Sequence, residues 1–296
     1  RDVERSRGLG DVYKRQSYTF TFVIALICFL PFWLIVIGSF TSESEIIARG
    51  YSLWPSEFSV EAYKMVFQLP ERIFKAYGVS IFITVLGGGI SLFITAMSAF
   101  VLMRKDFEFR NKIALFFYFP TIFSGGMIPS YILVVKYLNL KDNILALILP
   151  GLLGAWNIFL MRNFMKSIPD SIMESAKLDG ANDFVIFVKF YLPLSGAGLA
   201  TIGLFTALGY WNNWYNAMMY INKADLYPLQ YLLYQMLTSI TGLRDAASKA
   251  GLVVADMPDE TFKMAMAVIT TGPIILLYPF VQKYFVKGLT VGSVKG

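Results

Sequence analysis

Residues 167–193, SIPDSIMESAKLDGANDFVIFVKFYLP, form a short charged insert between two of the most apolar segments of the chain. Its charged residues are Asp170, Glu174, Lys177, Asp179, Asp183 and Lys189. The apolar pattern breaks off at this insert and resumes directly after it. An interpretation of the sequence therefore has to explain both the apolar background and the charged interruption.

The background composition is typical of an integral membrane protein. Of the 296 residues, 56% are hydrophobic and 16% are charged, whereas soluble domains average about 45–50% apolar and about 25% charged residues. The apolar residues form long runs, and about 20 residues rising 1.5 Å each cross the hydrocarbon of a bilayer. The sequence therefore predicts an all-α integral membrane protein.

Six apolar runs are long enough to predict transmembrane helices. They cover residues 17–40, 76–103, 113–137, 144–165, 188–214 and 263–286. Glycine and proline within these runs are tolerated in membrane helices, because neighbouring helices satisfy the freed backbone groups. The Lys and Arg residues of the loops show a small inward bias that the N-terminal residues strengthen, so we predict that both termini are cytoplasmic.

The runs predict a division of the chain into four segments. Residues 1–16 are polar and are either a cytoplasmic tail or a remnant unrelated to the fold. Residues 17–75 hold the first transmembrane helix and an extracytoplasmic segment, and residues 76–287 hold the remaining five helices. Residues 288–296 are a cytoplasmic tail. The charged insert then lies on the cytoplasmic side, between the fourth and fifth helices.

Several kinds of functional site are excluded by residue type. The chain contains no histidine and only one cysteine, Cys28, which removes the commonest general base, disulfides and cysteine metal sites. It has no G-x-x-x-x-G-K-[ST] phosphate loop, so it cannot hydrolyse ATP itself. The net charge of +6 fits cytoplasmic loops better than nucleic-acid binding. We expect no catalytic residue, no metal and no cofactor bound by this chain.

The insert has the pattern of a short amphipathic helix. Ser171 followed by Glu174 matches a capping box, which places Ser171 at the N-cap, and Gly180 is positioned to end the helix. The residues that line the helix between these ends are Ile172, Met173, Ala176, Lys177 and Asp179. Because so short a helix is unstable alone in water, its apolar face needs shelter. The surrounding charges favour a groove in a cytoplasmic partner.

The spacing of the insert resembles the EAA loop of bacterial ABC importer permeases. That motif runs E-A-A, three residues, G, nine residues, I, one residue and L-P. The corresponding residues here are Glu174, Ser175, Ala176, Gly180, Phe190, Leu192 and Pro193. Ser175 departs from Ala and Phe190 from Ile. The segments RNFMKSIPDSIMESAKLDGAN, FYLPLSGAGLATIGLF and KYFVKGLTVGSVKG extend the resemblance to carbohydrate-uptake permeases related to the maltose transporter, within the LplC/YtcP group.

This resemblance implies a type I ABC importer permease fold, with residues 76–287 as its transmembrane domain. It implies a bacterial plasma-membrane subunit that imports sugars, is not an enzyme, and pairs with a second, non-identical permease. The EAA loop of the family supplies coupling helices that dock on two ATPase subunits, which bind the ATP, and an extracytoplasmic solute-binding protein delivers the sugar. The implied coupling residues are Ser171, Ile172, Met173, Glu174, Ala176, Lys177, Asp179 and Gly180.

A second cluster, YWNNWYN at residues 210–216, lies at the outer end of the fifth predicted span. Its amides and aromatic rings suit sugars, which present hydroxyls and flat C–H faces, although Trp and Tyr also collect at membrane interfaces. A polar residue within a span, Asn157, is expected to face another helix or the transport path. The possible substrate-path residues are Asn157, Trp211, Asn212, Asn213, Trp214 and Tyr215.

Two other functions stay open from the residues alone. A secondary transporter commonly has internal repeats and intramembrane carboxylates for ion coupling, and neither is evident in this sequence. An ABC permease for peptides or other solutes would share the docking loop, so only the family resemblance favours sugar.

Overall fold

The computed structural model describes residues 2–68, 70–249 and 259–293. Within these ranges the regular elements are helices, and the β-pairing is limited to an isolated antiparallel bridge between Thr41 and Phe58. The helices are α1 (Asp2–Gly38), α2 (Glu43–Arg49), α3 (Glu61–Val66), α4 (Pro70–Met103), α5 (Arg110–Ile122), α6 (Met127–Tyr137), α7 (Leu145–Gly151), α8 (Ala155–Met165), α9 (Asp170–Leu178), α10 (Asp183–Leu194), α11 (Gly196–Trp211), α12 (Trp214–Tyr220), α13 (Leu229–Lys249) and α14 (Glu260–Ser293).

Two helices in the described part of the chain are long and apolar enough to cross a membrane: the Tyr13–Gly38 portion of α1, and α4. Three further candidates are bent helix pairs, each either a broken span or a re-entrant loop: α5 with α6 at 114°, α7 with α8 at 52°, and α10 with α11 at 84°. Length and composition thus support up to five spans there. The predicted sixth span, 263–286, lies within α14, whose later side chains fall outside the described part.

The prediction of a continuous fifth span over 188–214 is wrong, because the chain turns by 84° between α10 and α11. Ser195, at the turn, leaves the helical conformation with φ −86° and ψ 19°. Pro193 lacks the N–H that an uninterrupted helix would use, and Gly196 favours helix weakly. Hydropathy averages over such a break and cannot detect it. The third predicted span is broken in the same way, near Gly126, whose φ is +85°.

The chain divides into two compact units, residues 1–69 with 236–272 and residues 70–235 with 273–296. In the first unit, the Glu43 carboxylate accepts the N–H groups of Glu260 at 3.0 Å and Thr261 at 2.9 Å. Both N–H groups lie in the first turn of α14, where helix donors lack intrahelical acceptors and a negative charge is favourable. Glu43 therefore caps α14 and fixes it to the segment that follows α1.

The second unit has its core where α4, α8, α10 and α11 meet. The larger buried side chains of this core are Phe100, Met103, Met161, Met165, Ile186, Phe187, Tyr191 and Ile202. A Cβ added at Gly198 of α11 would lie 2.8 Å from the Cβ of Phe164 on α8. Glycine therefore lets these two helices approach closely, as small residues do in membrane bundles. Helix α9 packs beside this core.

Candidate functional site

The charged insert forms helix α9, which begins two residues before the position that the capping-box pattern predicts. Pro169 occupies the N-cap without a side-chain hydrogen bond, and Ser171 lies exposed in the first turn. The N-cap prediction for Ser171 is therefore wrong. Pro169 already has the extended backbone of an N-cap, with φ −59° and ψ 135°, and this lets the helix begin at Asp170.

The predicted end of the helix at Gly180 is confirmed. The φ of Gly180 is +79°, in the left-handed region that favours glycine. Its N–H donates to the carbonyl of Lys177 at 3.0 Å, and the N–H of Ala181 donates to the carbonyl of Ala176 at 3.0 Å. These two bonds are a Schellman motif, which satisfies the last carbonyls of the helix. A Cβ at Gly180 would meet no described heavy atom within 4 Å, so backbone conformation, not space, requires glycine.

The apolar face of α9 packs against this chain's own core. Ala176 is buried, and Ile172 and Met173 are half-buried against the core of the second unit. The prediction that this face needs a groove in a partner is therefore wrong. The charges around it, which favoured a partner, have an internal explanation in the loop between α4 and α5.

Three large apolar side chains of the insert stay exposed instead, those of Leu178, Phe184 and Phe190. Leu178, at the end of α9, is 89% exposed, and Phe184, in the first turn of α10, is 61% exposed. Glu174 is also exposed, and it lies four residues before Leu178, so the two share one face of the helix. The outward surface of the insert thus combines an exposed leucine with carboxylates, including that of exposed Asp179.

Three consecutive residues that follow α4 form ion pairs with the insert, and we call this set of pairs the ionic clamp. Its pairs are Arg104–Asp183 at 2.6 Å, Lys105–Asp170 at 2.8 Å and Asp106–Lys177 at 2.7 Å. Arg104 also binds Asp106 through two nitrogens, at 2.6 and 2.9 Å. The clamp holds both ends of α9 and the start of α10 to the end of α4. No sequence pattern predicts the clamp, since its paired residues are more than sixty positions apart.

The centre of the clamp is Asp106. Hydrogen bonds from Arg104 and then from Lys177 hold the pKa of Asp106 well below its usual range, and the bond to Asp106 raises the pKa of Arg104. Because the folded-state pKa of Asp106 is lowered, its stabilising contribution is present above the ordinary Asp pKa of about 4. That contribution is lost as the pH falls further, towards the lowered value. Asp106 is therefore charged at neutral pH.

We expect Arg104→Gln to lower stability by about 1–3 kcal/mol, because it removes charge-assisted bonds from a largely buried side chain. The Arg104 side chain is 15% exposed. The matched control is Lys105→Gln, whose ion pair joins side chains that are 80% and 61% exposed. Exposed pairs contribute about 0.2–1 kcal/mol. Thermal unfolding of the purified variants measures both effects, and equal losses would contradict the clamp's dependence on Arg104.

The possible substrate-path residues fall into three groups. Trp211 and Asn213 are buried, and the Asn213 amide donates to the carbonyl of Leu147 at 2.8 Å. Asn157 is half-buried and faces α11, where its amide donates to the hydroxyl of Thr206 at 3.5 Å. The third group is exposed and consists of Asn212, Trp214 and Tyr215. A role of these residues in sugar transport stays a prediction.

The bend between α7 and α8 explains why buried polar groups gather there. The hydroxyl of Tyr210 donates to the carbonyl of Ile148 at 2.8 Å, and that of Ser91 donates to the carbonyl of Leu152 at 2.9 Å. Irregular backbone at membrane depth is tolerated only where protein groups satisfy it. In the sequence, Pro150 and Gly151 within an apolar run indicate a bend. They do not show which side chains donate hydrogen bonds to it.

Comparisons with known proteins place this architecture in a family. No family model matches the chain. The chain is 42% identical over 279 residues to the polygalacturonan/rhamnogalacturonan transport system permease protein YtcP of Bacillus subtilis (strain 168), which covers 94% of this chain and 96% of that protein. It is 40% identical over 289 residues to protein LplC of the same organism, covering 97% and 96%.

A solved structure agrees with these relatives. It is the crystal structure of a bacterial ABC transporter involved in the import of the acidic polysaccharide alginate, one chain of which matches with a TM-score of 0.76 and 30% identity. The match covers 93% of this chain and 96% of that chain. The resemblance to the LplC/YtcP group is therefore confirmed over nearly the full length. The chain belongs to the carbohydrate ABC transporter permeases, which are membrane transport proteins and not enzymes.

Proposed function

We propose that this chain is one of two permease subunits of an ABC importer that carries oligosaccharides into a bacterial cell. The names of its relatives support this substrate class. YtcP is described as part of a polygalacturonan/rhamnogalacturonan transport system, and the transporter of the solved relative imports alginate. The proposed partners are a second permease, two ATPase subunits that bind ATP, and an extracytoplasmic solute-binding protein.

The proposed topology has six spans with both termini in the cytoplasm of a plasma-membrane protein. Five spans come from α1, α4 and the three bent helix pairs, and α14 is the sixth. With this topology α9 faces the cytoplasm, on the side where ATP is available. The lipid-facing surfaces are those of the spans, such as α1, whose apolar window is only 6% buried.

The observation that carries the coupling role is the way α9 is attached. The Schellman motif at Gly180 fixes its end, its apolar face packs on the core, and the ionic clamp binds it to the end of α4. A short helix held on three sides moves with the elements that hold it. A force that ATPase subunits apply to α9 therefore reaches α4 and α10 directly, and can tilt the spans between inward-open and outward-open states.

This attachment assigns the implied coupling residues to different roles. Ile172, Met173 and Ala176 face inward and seat the helix, and Lys177 joins the clamp. The proposed contact with an ATPase subunit is the outward surface, formed by Glu174, Leu178 and Asp179, with Leu178 as its apolar residue in place of Met173. Ser171, in the first turn, lies exposed beside it.

The proposed sugar contact is the exposed group Asn212, Trp214 and Tyr215. Asn212 accepts a hydrogen bond from Gln230 at 3.1 Å, and the Trp214 ring lies 5.2 Å from that of Tyr234. An amide beside aromatic faces suits a sugar. Asn157 and the buried pair Trp211 and Asn213 would then support the shape of the path without touching substrate.

Transport by the reconstituted complex tests this function. We expect uptake of labelled oligosaccharide into vesicles to require ATP and the binding protein, and to persist after ionophores collapse the ion gradients. Uptake that follows an ion gradient and ignores ATP would establish a secondary transporter instead. Uptake of peptides in preference to oligosaccharides would support the alternative ABC substrate.

A further inference from the structure

The segment that follows α1 forms a closed loop. Its two ends meet through the bridge between Thr41 and Phe58, and the N–H of Ser59 donates to the carbonyl of Phe40 at 2.8 Å. Within the loop, the carboxylate of Glu45 accepts the N–H groups of Ser56 and Glu57, near the loop's end. These contacts hold residues 43–57 together as one unit at the end of the first span.

Part of this loop runs back along α1. The indole N–H of Trp33 donates to the carbonyl of Leu53 at 3.1 Å. The ring of Trp54 lies edge-on against the ring of Trp33, with centroids 5.4 Å apart. Trp33 is in α1, five residues before its last residue, Gly38. We call residues 51–55 the foldback loop, because they return to the level of Trp33 from the end of the helix.

The depth of Trp33 follows from the length of the span. The candidate span of α1, Tyr13–Gly38, has 26 residues, so at 1.5 Å per residue and centred in the bilayer it exceeds the roughly 30 Å hydrocarbon by about 4 Å at each end. A residue five positions, or about 7 Å, from the end then lies near the boundary between hydrocarbon and headgroups. Indole rings are enriched at this level.

Three side chains of the foldback loop are large and exposed. Tyr51 is 56% exposed, Leu53 51% and Trp54 70%. They lie beside the end of α1, whose candidate span is only 6% buried. Leu53 and Trp54, which lie beside Trp33, fit a membrane boundary, since it accepts aromatic rings with polar edges, while the Tyr51 hydroxyl donates to the Glu260 carboxylate at 3.2 Å.

We propose that the foldback loop is an interfacial anchor that inserts Leu53 and Trp54 into the leaflet at which α1 ends. In the topology proposed above this is the outer leaflet. Lipid then covers the surface of the foldback loop, at the level where acyl chains meet headgroups. The anchor would fix the depth and rotation of α1, independently of the coupling role of α9.

Nitroxide labels in the assembled transporter, reconstituted in lipid nanodiscs, test this anchor. Trp54→Cys and, separately, Leu53→Cys are labelled in a Cys28→Ser background, since Cys28 is the only native cysteine. We expect each label to be several-fold more accessible to oxygen, which concentrates in lipid, than to a water-soluble nickel chelate. The control label is Glu61→Cys, at the exposed start of α3, where we expect the opposite preference.

Two results would overturn the proposal. Labels at positions 53 and 54 that prefer the nickel chelate would show that the loop lies in water. Labels shielded from both reagents would show that protein covers the loop, either the second permease or the solute-binding protein. Lipid access at position 53 alone would still support insertion of the loop if the Trp54 variant fails to assemble.

Discussion

Replacing Gly180 by valine is expected to reduce oligosaccharide uptake at least tenfold, while the chain still inserts and assembles in the membrane. A β-branched residue at φ +79° is strained by about 1–3 kcal/mol, and every 1.4 kcal/mol changes an equilibrium tenfold. No described atom crowds the site, so the strain is relieved by unwinding the end of α9. That unwinding displaces Leu178 and Asp179 from the surface proposed to meet the ATPase subunit.

Gly50 provides a matched control for Gly180. Its φ is +76° and its ψ −165°, and a Cβ there also meets no described heavy atom within 4 Å, so Gly50→Val imposes at least as much backbone strain outside the insert. We expect near-normal uptake from that variant. Gly180→Asn should also retain much of the uptake, because asparagine adopts the left-handed conformation more readily than valine. Equal losses at Gly50 and Gly180 would show that backbone strain alone, not the position in α9, reduces transport.

Leu178→Asp is expected to abolish uptake with little effect on the stability of the permease itself. The side chain is 89% exposed, and surface substitutions of this kind usually change stability by less than about 0.5 kcal/mol. A carboxylate at the proposed apolar contact would have to be desolvated when the ATPase subunit binds. Measurements of uptake and of ATPase co-purification should therefore fall together, while thermal unfolding of the isolated permease stays unchanged.

Met173→Asp should show a different combination of effects. Met173 packs against the core, so the substitution buries a polar group and should destabilise the permease by about 1–3 kcal/mol. Leu178→Met keeps an apolar side chain at the surface and should transport normally. If Leu178→Asp lowered the unfolding temperature as much as Met173→Asp, Leu178 would be a packing residue and its proposed contact would be wrong.

The features predicted correctly from the sequence are those that local chemistry decides. Gly180 ends α9 because a left-handed residue is needed there, and that requirement is visible in a few neighbouring residues. The apolar runs identify candidate membrane helices, because a helix must reach a minimum apolar length to cross a bilayer. The family resemblance rests on residue spacing within the insert, and the full-length relatives confirm it.

The features that the sequence did not show depend on distant residues. Met173 packs within the chain because α9 lies beside the core that α4, α8 and α10 form. In addition, Arg104 and Asp106 neutralise charges around it. The break at Ser195 arises from a proline and a glycine inside an apolar run that hydropathy treats as continuous. Asn213 suited a sugar by composition, but its amide satisfies a carbonyl of the bent span.

The coupling role proposed for α9 requires its outward surface to meet an ATPase subunit. A photo-reactive benzoylphenylalanine placed at position 178 of the assembled transporter tests it most directly, with position 173 as the internal comparison. We expect position 178 to cross-link to the ATPase subunit and position 173 to cross-link within the permease. A cross-link from position 178 to lipid or to the permease alone, or from position 173 to the ATPase subunit, would contradict it.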